Sequence, residues 1–140
     1  MTEKPIIVGQ KERVSAWAAE RVKRNVPWTN YEAIGLERHG ELVAAIVIDN
    51  YVRGARCCMH IALEGRHSLS LEFLRVSFSY VFNQLKCQVA IALVAADNEA
   101  SLKFSRHLGF QEACRIGGGS GDCDLVILTM PRKTCRWATR

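Results

Sequence analysis

Apolar positions along this chain alternate between helical and strand spacing. Between Gly9 and Arg24, Val14, Trp17, Ala18 and Val22 recur at three- and four-residue intervals, which predicts one buried helix face. Asn25 and Pro27 end that pattern, and Ile6-Ile7-Val8 before it reads as a short strand. Tyr31–Arg38 and Glu41–Ile48 are β-prone runs separated by His39-Gly40, the arrangement of a hairpin. Arg56–Leu63 alternates as a third strand, with Met59, Ile61 and Leu63 on one face and Cys58, His60 and Ala62 on the other. From Ser70 the helical spacing returns, with Leu71, Leu74, Phe78, Val81 and Leu85 as a core-facing stripe. Gln88–Val94 is almost continuously apolar, as expected of a strand covered on both faces. A short helix led by Asp97 or Asn98 and stopped at Gly109 follows. Gln111–Ile116 and Asp124–Met130 then read as strands joined by a glycine-rich loop.

The predicted order is (β)αβββαβαββ, an α/β chain with a mixed sheet. A strand, a crossover helix and a second strand of one sheet run parallel, which makes Arg56–Leu63 and Gln88–Val94 parallel neighbours. No repeat or linker interrupts the 140 residues, so residues 1–140 read as a single domain able to bury its own core. Neither a membrane-length apolar run nor a signal-peptide core is visible, which predicts a cytoplasmic protein without membrane partners. The net charge of +5 favours anionic partners. Its basic residues are scattered rather than clustered, which argues against nucleic acid and leaves a phosphate-rich cofactor or an acidic acceptor protein. The six cysteines contain no C-x-x-C, and Cys57-Cys58 point to opposite faces of a strand. Reduced packing thiols are the expectation, with no metal site.

The stretch with most chemical meaning is Asn98-Glu-Ala-Ser101-Leu-Lys-Phe104-Ser105-Arg-His-Leu-Gly109-Phe110, directly after the apolar run Val89–Val94. Asn98 is suited to cap the helix, Gly109 to end it in a left-handed conformation, and Phe110 to supply the apolar contact beyond. A strand, an Asn, a helix and Leu-Gly-Phe in this order resemble the C-terminal half of the GCN5-related N-acetyltransferases (GNAT family). The element order resembles that family along nearly the whole chain. Compact GNAT-like proteins of phage and bacterial genomes are the most similar, through the early Trp17 helix, the Leu42–Val47 run ending in Asn50-Tyr51, Glu72–Arg75 and Cys135-Arg136-Trp137.

This resemblance implies the acyl-CoA N-acyltransferase fold, in which two central parallel strands splay apart. It also implies an acetyl-CoA-dependent N-acetyltransferase that moves an acetyl group to a primary amine of a small molecule or protein, by direct attack in a ternary complex. Backbone N–H groups of His60, Ile61, Ala62 and Leu63 are then expected to face the thioester. Arg66, His67, Ser68, Leu69, Ser70 and Leu71 form the expected pyrophosphate loop, and Asn98, Ser101 and Phe104 the expected far wall. Arg66 stands at the first position of the family's Q/R-x-x-G-x-G/A pattern, but its glycines are replaced by Leu69 and Leu71. The family's general-acid tyrosine is here Ser105. His60 is the candidate general base, because histidine titrates near neutrality; Glu64 and Glu72 rank below it. The missing glycines and tyrosine keep open a second reading, a catalytically degenerate GNAT-like module that binds proteins. The acceptor is not named by the sequence, although the first helix, the segment Arg24–Asn30 and the last hairpin should select it. The last strand and the Trp137 tail are the candidate surface for a homodimer.

Overall fold

The computed structural model describes residues 5–65 and 69–138. Its elements are β1 (Ile6–Ile7), α1 (Lys11–Arg21), β2 (Glu32–Arg38), β3 (Glu41–Val52), β4 (Arg56–Leu63), α2 (Leu71–Ser79), β5 (Val89–Ala95), α3 (Glu99–Leu108), β6 (Gln111–Ile116) and β7 (Leu125–Pro131). One seven-stranded sheet takes the order β1-β2-β3-β4-β5-β7-β6. β4 and β5 are its parallel pair, and the other neighbours are antiparallel.

Local chemistry accounts for most of these elements. His39 and Gly40 have φ of 55° and 82°, the paired left-handed geometry whose twist suits a two-residue hairpin between β2 and β3. Ser70 caps α2 by accepting a hydrogen bond from the Phe73 N–H, and Asn98 caps α3 by accepting one from the Ser101 N–H. Gly109 ends α3 at φ 117°, where a side chain would be strained, and Phe110 folds back into the core.

Two cores lie on opposite faces of the sheet. On one face α2 and α3 bring Phe73, Phe78, Leu102 and Leu108 onto Ile46, Met59, Ala92 and Leu128. On the other face α1 sets Val14 and Ala18 against Ala33, Ala45, Val47 and Ala62. Gly35 makes that second contact close: a Cβ there would stand 2.8 Å from Leu42 and 3.0 Å from Val14.

Three expectations change. The second helix does not stay α-helical through Leu85, because a π-helical turn at Tyr80–Gln84 ends it. The wider turn brings Val81 and Phe82 inward together. Leu71, at the start of that helix, is 51% exposed rather than core. Helix α1 stops at Arg21, which leaves Val22 outside the buried stripe. Finally, β5 is covered on one face: Ala90, Ala92 and Val94 are buried, while Leu93 points outward, since α1 packs on β2, β3 and β4 and stops short of β5.

Candidate functional site

The parallel pair at the centre of the sheet is incomplete. β4 and β5 are in register at Arg56↔Val89, Cys57↔Ala90 and Cys58↔Ile91, and pairing ends there. From Met59 and Ala92 onward the strands diverge and open a gap at their C-terminal ends, the place where open α/β sheets receive ligands. The Glu64 N–H donates to the Val43 carbonyl at 2.8 Å. Alternate N–H groups of a strand point the same way, so those of Ala62 and His60 also turn to β3. The N–H groups of Ile61 and Leu63 therefore turn into the gap. α2 follows the C-terminal end of β4 and α3 that of β5, so both helix N-termini, capped by Ser70 and Asn98, lie toward the same end of the parallel pair as this gap.

The expected cofactor residues divide into three sets. Ile61 and Leu63 line the gap through their backbone, whereas His60 and Ala62 present side chains to the α1 face. Asn98 is exposed at the mouth, while Ser101 and Phe104 on the first turns of α3 are half-buried. Leu69 packs partly into the core and Ser70 serves as a cap. Arg66, His67 and Ser68 lie outside the described residues.

On the α1 face, His60 has a partner that the sequence reading missed. Its Nε2 lies 2.8 Å from Oδ1 of Asp49, a residue that is 5% exposed. Register explains the meeting. Asp49 stands opposite Cys58 and His60 opposite Val47, so the two side chains are diagonal neighbours on one face. A β-bulge follows at once between Asp49 and Val52, with Asn50 at φ 50°; bulges re-aim side chains in this way. The Asn50 side-chain amide also donates to Asp49, at 3.4 Å. An ionised carboxylate only accepts hydrogen bonds, so an imidazole that is neutral against it would carry its proton on Nε2 and keep a lone pair on Nδ1. The ring is 18% exposed, shielded yet reachable.

Trp28 sets the edge of this pair. Its ring meets the His60 ring edge-on at 4.9 Å, and its Nε1 donates to the Ser15 carbonyl of α1 at 3.0 Å. The Arg24 guanidinium lies 3.9 Å from the Trp28 ring centroid. The segment between α1 and β2 is thereby pinned beside His60, although Trp28 carried no signal in the sequence beyond being aromatic in a loop. Asp49 had one: an acid that closes an apolar strand in phase with the inward-facing Ala45 and Val47.

Other candidates sit elsewhere. Glu64 is ion-paired to Arg21 at 3.3 Å, and Glu72 is exposed in the first turn of α2. Ser105, at the tyrosine position, is buried in α3. Cys57, Cys58, Cys87 and Cys135 are buried free thiols, and burial together with the neighbouring Cys87 drives the Cys57 thiol far above its ordinary range. Cys114 departs from the packing role, exposed on β6. Asp97, Asp122 and Cys123 bring ligand-type atoms within 4.8 Å of one another, largely in solvent. β7 lies inside the sheet between β5 and β6, and the Trp137 Nε1 donates to the Leu108 carbonyl. No helix among the described residues is long and apolar enough to cross a membrane.

No family model and no curated protein matches the chain by sequence. Solved structures do match it in shape. A spermidine/spermine N-acetyltransferase from Vibrio cholerae superposes with a TM-score of 0.73 at 10% identity, covering 94% of this chain and 95% of its own. A ribosomal-protein-alanine acetyltransferase from Vibrio fischeri gives 0.72 at 9% identity, covering 97% and 99%. A probable acetyltransferase gives 0.69 at 15% identity, covering 95% and 98%. With the splayed parallel pair and the capped α3, these likenesses identify the chain's fold as that of the GCN5-related N-acetyltransferases.

Proposed function

We propose that this protein is an acetyl-CoA-dependent N-acetyltransferase acting on an amine by direct attack in a ternary complex. The observation that carries the reading is the end of β4–β5 pairing at Cys58 and Ile91, with the Ile61 and Leu63 N–H groups turned into the gap. A thioester whose carbonyl lay there would find preorganised donors for its developing oxyanion, commonly a large catalytic contribution. The pyrophosphate of the same substrate suits the loop 66–71 and the N-terminus of α2, with Arg66 as its cation and helix N–H groups as donors. Asn98, Ser101 and Phe104 form the opposite wall.

The acceptor then enters from the α1 face. Nδ1 of His60 takes a proton from the amine, and Asp49 holds the ring in the tautomer that leaves Nδ1 free. The amine nitrogen attacks the carbonyl carbon, the C–N bond forms and the C–S bond breaks. Coenzyme A leaves as a thiolate and is protonated by water, since Ser105 is buried. The named activities of the structural neighbours, all acetyltransferases, support this reading over a catalytically degenerate module.

Isothermal titration with acetyl-CoA tests it, on the unmodified protein and on the Arg66→Ala and Asn98→Ala variants. Saturable binding weakened by both substitutions is the expected result. Absence of heat at millimolar acetyl-CoA, with the protein shown folded by circular dichroism, would overturn the enzyme reading.

A further inference from the structure

The half of the sheet that α1 leaves uncovered starts beside His60. Register places Ile91 next to Cys58, Ile91 opposite Thr129, Leu93 opposite Ile127, and Ile127 and Leu125 opposite Cys114 and Ile116. These side chains share one face. Leu93 is 42% exposed and Ile116 46%, and Ile91, Leu125 and Ile127 are half-buried.

We propose, on the acetyltransferase reading above, that the acceptor is the free α-amine of a peptide with apolar leading residues, lying across β5–β7–β6 with its nitrogen at His60.

The chemistry of the face selects this class. Its strand positions carry no carboxylate, and Asp49, the acid nearest His60, is engaged by that ring. A polyamine brings further cationic nitrogens that this apolar floor leaves unpaired, a cost binding does not recover. Proton transfer favours matched partners: an α-amine titrates at about 7.7–8.0 against about 10.4 for a lysine amine, and histidine is the ordinary near-neutral base. The dimensions fit as well. Crossing from β4, which carries His60, to β6 spans three strand spacings of about 4.8 Å, the length of roughly four extended residues.

Size also argues against a second copy of the chain. Only Leu93, Cys114 and Ile116 on this face are exposed while Ile91, Leu125 and Ile127 are half-buried, which makes a small patch of the kind that is functional on monomers. A standard interface buries about 800 Å² per partner.

The test measures coenzyme A release from acetyl-CoA with four acceptors: a hexapeptide beginning Ala-Leu-Ile, one beginning Ala-Asp-Glu, an N-terminally blocked lysine peptide, and spermidine. Phenethylamine serves as the small apolar comparison. The expected result is at least tenfold higher kcat/KM for the apolar-led peptide than for any other. Leu93→Asp should raise its KM roughly tenfold, with acetyl-CoA affinity in a parallel titration unchanged. Preference for the Ala-Asp-Glu peptide, spermidine, the blocked lysine peptide or phenethylamine, with acetyl-CoA bound normally, would overturn this inference and leave the acetyltransferase reading standing. Loss of acetyl-CoA binding itself would remove both. A dimer in size-exclusion chromatography that Leu93→Asp dissociates would assign the face to a second copy and overturn the proposal.

Discussion

The two faces of the sheet are built from equally apolar strands but finished differently. One is roofed from β2 to β7 by α2, α3 and the C-terminal residues, and its Phe73, Phe78 and Phe82 are wholly buried. The other is roofed only over β2–β4, by a short helix that meets alanines and a glycine. A structural role explains the first face completely. It does not explain why β5, β7 and β6 keep isoleucines and leucines toward solvent on the second. The boundary between covered and open regions runs through His60 and Trp28. The lesson is that stability and chemistry are separated by face, so substitutions on the two faces should fail differently.

The largest expected effect is on the covered face. Phe78→Ala empties a site packed against Phe82 and Phe110, at centroid distances of 6.4 and 6.3 Å. It should cost about 3–5 kcal/mol of unfolding free energy in urea titration. Leu93→Ala on the open face should change stability by less than about 0.5 kcal/mol. Equal losses at the two positions would erase the distinction between the faces.

Activity sharpens the comparison from the other side. His60→Gln keeps a hydrogen-bonding side chain of similar size but no base. Turnover should drop by about 10²–10⁴-fold, with acetyl-CoA affinity by titration unchanged. An unaltered rate would reduce His60 to a structural strand residue.

Asp49→Asn should be milder, about 10–100-fold in kcat, because the base remains while its orientation is lost. Nitrogen NMR of the ring separates this from a structural role. The unmodified protein should show a proton fixed on Nε2, and Asp49→Asn a mixture of tautomers. A fixed Nε2 proton in both proteins would remove Asp49 from the positioning role.

How much of this was legible in the sequence follows from the range of each interaction. The His39-Gly40 turn, the bounds of β4, the Asn98 cap and the Gly109 stop depend on residues a few positions apart, and each reads directly from the chain. The His60–Asp49 pair depends on β3–β4 register and on a bulge, which no local pattern encodes. The π-helical turn at Tyr80–Gln84 departs from the 3.6-residue spacing, so periodicity alone extends α2 too far, and Leu71 matches the stripe in spacing although the first turn of α2 leaves it exposed. The uncovered face of β5 was hidden for a related reason. A continuous apolar run marks a strand that would be buried on both sides, but the length of α1 decides whether it is.

The smallest effect concerns the outer edge of the open half, where β6 is exposed along its whole length. With little packing there, charge must help hold it in place. Glu112 accepts from Arg115 Nε at 2.8 Å and Nη2 at 3.1 Å, and from Arg106 of α3 at 3.1 Å. Hydrogen bonding from Arg115, reinforced by Arg106, holds the Glu112 carboxyl below its ordinary range. A carboxyl depressed in the folded state stabilises that state above its unfolded titration and loses the contribution as pH falls through the folded value. The melting temperature of the unmodified protein should therefore exceed that of Glu112→Gln slightly near neutrality, with the gap narrowing below about pH 4. The pair is solvated, so molar salt should shrink the same gap at neutral pH. A gap that survives both acid and salt would mean that β6 is fixed by packing, and that the two halves of this face differ less than their exposure suggests.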